Sequence, residues 1–406
     1  MFVEERRKKI FNTLRSQGQA TVTSLARQYG VTKETIRSDL TQLEASGLVQ
    51  RCHGGAMIVE HVVKPLSWQT MGLNVSALMQ ELVSKNQDFL YKDKGHPVSG
   101  KVCVLGSFSV DIIAVVDHFP LEGELLMAKE NRFGPGGKGA NQALAASRAG
   151  GNVHFIAKVG CDHFSTYAHD HLVSSGIDSF TLYQSSTVPT GSAMTYFSQE
   201  THSNITAVYL GANITITQEE IDAVLLYLRD TDILLIQGEI NVEAQLKAVK
   251  FAHSVGTQII FNPAPYSNEA KMIYPYVDYI IPNKIEAQKW SGIEISDLAS
   301  AKKAMKNIAG PEKKKVILNL GKKGCLVFDG SIFQHLPALP SVMVDAMGAG
   351  DAFNGSLAAE LAKGSQLIDA VNYALAFTAV FVEHEGVSNM PTHEKVTRRL
   401  EMHHGN

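Results

Sequence analysis

The strongest constraint on the fold lies downstream of residue 100, where short apolar runs alternate with helical stretches. The runs 102–105, 153–157, 233–236, 258–261, 279–281, 316–318 and 326–328 are dominated by apolar residues, as strands buried on both faces are. Helical patterns such as 216–229, 242–255 and 298–308 fall between most of them. Such alternation requires crossover connections, which put helices on both faces of a largely parallel sheet. An α/β fold is therefore expected over 100–402. The 406 residues, 45% apolar and 19% charged, supply an ample core, and the length suggests two or three domains.

Residues 1–60 follow a different pattern. Ile10 and Leu14 mark a first helix, and Val22, Leu25, Ala26 and Tyr29 a second that closes at Gly30. Thr32 is a suitable N-cap for a third, carried by Thr35, Ile36, Leu40 and Leu43 up to Gly47. Two β-like runs, 48–51 and 56–59, flank His53-Gly54-Gly55 as a hairpin. The short turn 29–32 gives helix-turn-helix spacing, with the hairpin as a wing. Lys33, Thr35, Arg37 and Ser38 stand near the start of the third helix, where phosphates and base edges are reached. This segment holds nine Lys/Arg against six acids, a net +3, which leaves −6 on the remainder. A basic head on an acidic body suits DNA; the alternative is a small interaction domain with solvated charges.

Residues 61–99 form a bridge in which Val75, Leu78, Met79, Leu82 and Phe89 recur at helical spacing. Cys52, Cys103, Cys161 and Cys325 are far apart and form no C-x-x-C, so reduced thiols in a cytoplasmic protein are expected. An apolar leader and a run of about 18 apolar residues are both lacking, which disfavours secretion and membrane insertion.

Two glycine-rich motifs carry the chemistry. In 345–355, Gly348-Ala349-Gly350 opens a helical pattern and Asp351 follows at once. Outward backbone N–H groups at a helix mouth bind anions, and an acid beside them can take a proton from a hydroxyl. The plainer reading is an acid stabilising a helix dipole. In 134–141, Gly134-Pro135-Gly136-Gly137-Lys138-Gly139-Ala140-Asn141 allows close backbone approach to a polyhydroxyl ligand; a tight turn before a small-residue helix is the alternative. It lacks the order of a Walker P-loop.

Together, these motifs resemble the two signatures of the PfkB or ribokinase family of carbohydrate kinases, over about residues 101–392. The head resembles DeoR-type winged-helix regulators through Arg6-x-x-x-Ile10, Gly30-Val31, Thr35-Ile36-Arg37-x-Asp39-Leu40 and His53-Gly54-Gly55-Ala56, with Ser38 where a second Arg is usual. The resemblance implies ATP-dependent phosphorylation of the primary hydroxyl of a small sugar, D-ribose foremost, in a homodimer with a DNA-binding head. A sugar-sensing regulator with little turnover is the alternative. It implies Asp351 as base and Gly348, Ala349 and Gly350 as the hole for the moving phosphoryl group. Sugar contacts fall on Ser109, Val110, Asp111, Gly137, Lys138, Gly139, Ala140, Asn141 and Glu239. ATP contacts fall on Asn283, Asn319, Leu320, Gly321, Lys322, Lys323, Gly324, Gly350 and Leu375, with Glu286 serving Mg²⁺. Asn283 and Glu286 also read as a helix cap and its N3 partner. A K⁺ site is expected from Asp345, Met347, Phe381, His384, Gly386 and Ser388, on a loop one residue shorter than usual. Ser109 stands where ribokinases usually carry Asn, which opens the site to 2-deoxyribose or another small sugar. Leu375 replaces the Asn or His often found beside adenine.

Overall fold

The computed structural model describes residues 6, 9, 10, 13, 19–45, 49–52, 55–58, 100–201 and 203–404. The bridge 61–99, the closing glycines 18 and 47 and the hairpin tip 53–54 lie outside the described residues. The chain divides into two compact units, Met1–Lys94 and Gly95–Asn406.

In the first unit, residues 6, 9, 10 and 13 are helical. β1 (Gln19–Thr21), α1 (Val22–Tyr29), α2 (Lys33–Ala45), β2 (Val49–Cys52) and β3 (Gly55–Ile58) follow. Thr21 caps α1 by accepting from the Ser24 amide at 3.1 Å, and Gly30 ends it in the left-handed region at φ 63°. Thr32 caps α2 through the Thr35 amide at 3.2 Å. Ile10, Leu25, Ile36, Leu40 and Ala56 are fully buried between these elements. The wing strands pair as expected, but β1 joins them in the order β1-β3-β2. Three residues are too few for periodicity to announce a strand.

The second unit begins with β4 (Lys101–Leu105), β5 (Ser109–Val116), β6 (Glu130–Gly136), α3 (Lys138–Arg148), β7 (Asn152–Gly160), α4 (His163–Ser175) and β8 (Ser179–Ser185). It continues through β9 (Gly191–Ser198), β10 (Ser203–Tyr209), α5 (Gln218–Arg229), β11 (Ile233–Gln237), α6 (Val242–Ser254), β12 (Gln258–Asn262) and β13 (Tyr279–Ile280). It ends with α7 (Lys284–Ser291), α8 (Leu298–Ala309), β14 (Lys315–Asn319), β15 (Cys325–Phe328), β16 (Phe333–Leu336), α9 (Ala349–Ala362), α10 (Leu367–Phe381) and α11 (His393–His404).

Nine strands form one sheet in the order β16-β15-β14-β13-β12-β11-β4-β7-β8, parallel from β14 to β8. β15 and β16 add an antiparallel edge. Successive residues of β4 serve opposite cores: Val102 and Val104 pack on the side of α3, α9 and α10, Cys103 and Leu105 on the side of α5, α6 and α8. That is why these strands read as unbroken apolar runs. A second sheet, β10-β9-β5-β6, stands apart, with β5 and β9 parallel and the other pairs antiparallel. Among the described residues no helix is long and apolar enough to cross a membrane.

Candidate active site

Every parallel strand that carries a motif releases it at the same end of the main sheet. Residues 106–111 follow β4, Glu239 follows β11, Asn283 follows β13 and Asn319 closes β14. Carboxyl ends of strands in open α/β sheets are where ligands bind. There a cavity of about 150 Å³ is lined by Ser109, Asp111, Lys138, Asn141, Glu239 and Asp351, among others.

The β5 register accounts for one wall. Ser109 and Asp111 are two residues apart and share a face. Asp111 pairs with Ala193 of β9, and Ala193 with Val208 of β10, so all three reach the cavity. Asn213 fixes the start of β5 by accepting from the Phe108 amide at 2.9 Å and donating to the Phe108 carbonyl at 2.8 Å. The glycine-rich turn closes against this segment. Gly137 has φ 91°, and a side chain there would meet the Ser107 carbonyl at 2.8 Å. Gly137 thus packs closely on the β5 entry and also lines the cavity.

Glu239 is buried, accepting from the Ser107 hydroxyl and from the Lys138 amide at 3.0 Å. Asp351, only 6% exposed in the first turn of α9, accepts at Oδ2 from Asn141 Nδ2 at 3.2 Å and at Oδ1 from Gln142 Nε2 at 2.9 Å. At the same helix mouth the Ala349 amide donates to the Ala346 carbonyl at 3.2 Å and the Ala352 amide to Gly348 at 2.8 Å. The amides of Gly350 and Asp351 have no acceptor among the described residues, and the space above Gly350 is open. The Gly348 amide likewise has no acceptor among the described residues, so of the three residues expected at the hole only Ala349 has its amide engaged.

Four carboxylates surround one lysine. The Asp351 charge foremost holds Lys138 above its ordinary value. Burial first, then Glu239 and Asp351, pushes Asp111 up to about 7, partly offset by a hydrogen bond from Ser109 and by Lys138. Burial likewise raises Glu239 and Glu286. Excess carboxylate beside open backbone donors fits a site that works with cations and a phosphate.

Asn283 and Glu286 form a complete capping box on α7: Glu286 N donates to Asn283 Oδ1 at 2.9 Å, and Asn283 N to Glu286 Oε2 at 2.8 Å. Asn283 bridges to Asn319, placing the 319–324 turn alongside; its residues 321–323 are exposed. Asp345 joins two segments, accepting from Met347 N at 2.8 Å and Gly386 N at 3.1 Å. The Phe381 and Gly386 carbonyls accept from His384 N and Asn389 N. Leu375 is not brought to the cavity; it lies in the α10 core at 7% exposure. In the first unit, Lys33, Arg37 and Ser38 are exposed and Thr35 half-buried.

Ser107, Gln142, Asn213 and Asn262 were missed from the sequence. Gln142 and Asn262 are buried polar residues in otherwise small or apolar runs, the one signal that could have found them.

Residues 99–394 match the pfkB family carbohydrate kinases, and residues 6–62 the DeoR-like helix-turn-helix domain. The chain is 31% identical over 304 residues to a deoxyribokinase of Salmonella typhi, covering 74% of this chain and 99% of that one. It is 32% identical over 301 residues to a ribokinase of Bacillus subtilis, again 74% and 99%. The ribokinase structure from Thermotoga maritima superposes with a TM-score of 0.66 at 32% identity, covering 74% of this chain and 99% of that one. The likeness spans both glycine-rich motifs and the whole sheet, and this chain, with a DeoR-like helix-turn-helix domain at its start, belongs to the pfkB family of carbohydrate kinases.

Proposed function

We propose that the kinase unit transfers the γ-phosphoryl group of ATP to the primary hydroxyl of ribose or 2-deoxyribose. The carrying observation is Asp351, held at the mouth of α9 beside open backbone amides and a cavity of monosaccharide size. Asn141, Asp111 and Glu239 bind ring hydroxyls, and Lys138 balances their charge. The sugar hydroxyl enters on the Asn141 side of Asp351, whose carboxylate takes its proton late in the transfer. The Gly350 and Asp351 amides stabilise the charge that develops on the migrating group. ATP lies along the 319–324 turn, whose residues 321–323 are exposed.

Mg²⁺ would be held through Glu286 and would supply charge neutralisation to the phosphates. Both Glu286 oxygens accept from Asn283, at 2.8 Å each, which holds that carboxylate in place. A K⁺ site would use the carbonyls of Asp345, Met347, Phe381, His384 and Gly386, and the reading is supported by the Asp345 carboxylate, which ties Met347 to Gly386. Ser109, a shorter donor than the Asn usual in ribokinases, supports 2-deoxyribose beside ribose as substrate.

ADP release measured across ribose, 2-deoxyribose and hexoses tests the reading. Turnover with a pentose is expected, and Asp351→Asn lowers kcat by at least ~100-fold. Near-normal turnover of that variant would remove Asp351 from the role. Sugar binding without ADP release would make the unit a sensor. The first unit is proposed to bind DNA through Lys33, Thr35, Arg37 and Ser38.

A further inference from the structure

Behind Asp351 lies a chain of buried amides that the transfer reaction does not itself touch. Gln142 is fully buried and Asn262 and Gln237 nearly so. The Ile281 carbonyl accepts from Asn262 Nδ2 at 2.9 Å, which turns Asn262 Oδ1 toward Gln142. Gln142 Nε2 meets that oxygen at 3.1 Å and spends its other hydrogen on Asp351 Oδ1 at 2.9 Å. Gln142 Oε1 in turn accepts from Gln237 Nε2 at 2.8 Å. Gly106 makes room for this arrangement, since a side chain there would sit 2.1 Å from Gln237 Oε1.

The polarity of Asn262 and of Gln142 follows from their neighbours, while Gln237 Oε1 is buried without a partner. A backbone carbonyl orients Asn262, Asn262 and Gln237 orient Gln142, and Gln142 offers Asp351 a donor and no acceptor. Asn141 lines the cavity and Gln142 does not, although they are neighbours on α3. The two carboxylate oxygens therefore face different surroundings, Oδ1 the amide chain and Oδ2 the cavity side.

We propose that Gln142, oriented by Asn262 and Gln237, is a positioning residue for Asp351: it locks Oδ1 so that Oδ2 receives the sugar proton. This rests on Asp351 being the base. Side chains fixed by such partners hold reacting groups in productive geometry at no cost during the reaction.

The test is steady-state kinetics of the full chain with its best pentose, for Gln142→Met, Asn262→Ala and Asp351→Asn. Gln142→Met is expected to lower kcat by ~10-fold or more while KM for ATP and sugar stays within about twofold. Asn262→Ala reaches the same Gln142 from β12, and gives the same fall in kcat, smaller, even should Gln142→Met fail to fold. If Asp351→Asn abolishes turnover but both amide variants keep wild-type kcat, the positioning role is overturned. If Asp351→Asn itself turns over normally, it is the base assignment that fails.

Discussion

At the scale of single residues, the site is a problem of charge. Asp111, Glu239, Glu286 and Asp351 share one lysine, and the cost of ionising Asp111 in that setting pushes it up to about 7. The folded state therefore holds a proton that the unfolded chain releases near its ordinary value of 3.8. Stability from this source is present at low pH and falls as pH rises from about 4 to about 7. Asp111→Asn removes the effect: its Tm should exceed that of the natural chain at about pH 8, on the order of 2 °C, with the gap closing toward pH 4. Calorimetry at several pH values checks this, and a gap that widens on acidification would contradict it. Sugar binding by the same variant should lose its pH dependence in that window. Arg6 poses a second charge problem. Its guanidinium meets the buried Asp39 carboxylate at 2.6 Å. Arg6→Met removes this ion pair and should lower the stability of the first unit, read as an earlier melting transition of that unit.

Among the elements, the start of α9 shows how a helix end becomes chemistry. Gly348 caps it at φ 81° and Gly350 leaves open space where a side chain would stand. Gly350→Ala should thus be neutral or stabilising by roughly 0.5 kcal/mol, because it restricts the unfolded chain. The same methyl stands where the phosphoryl group is proposed to lie, so kcat/KM for ATP should fall at least ~10-fold. Unchanged kinetics in a well-folded variant would move the phosphate elsewhere. Other elements were less legible. The box on α7 answered to its plainer reading, a helix cap, and that reading leaves room for the metal role as well. β10 and β16 went unseen because each is largely exposed and lacks the apolar run that betrayed the central strands.

For the whole molecule, the fusion joins a carbohydrate kinase to a DeoR-like helix-turn-helix domain. If the head binds DNA, affinity for a duplex should fall steeply with salt, and Arg37→Ala should reduce the slope by about 1. Arg37 is exposed, and its surface pair with Glu34 at 3.1 Å costs little to break. Flat salt dependence in a binding titration would instead mark a protein-contact module. The α/β class, the separate basic head, the Thr32 and Gly30 caps and both glycine-rich motifs could be read from the residues alone, because these rest on local periodicity, turn chemistry and residue type. It took the assembled fold to show that Gln142 and Asn262 stand behind Asp351, that Ser107 and Asn213 brace β5, and that Leu375 faces the core. Those positions arise from residues up to 210 apart meeting at one sheet end, and a local pattern can mark a polar residue in an apolar run but not the distant partner it meets.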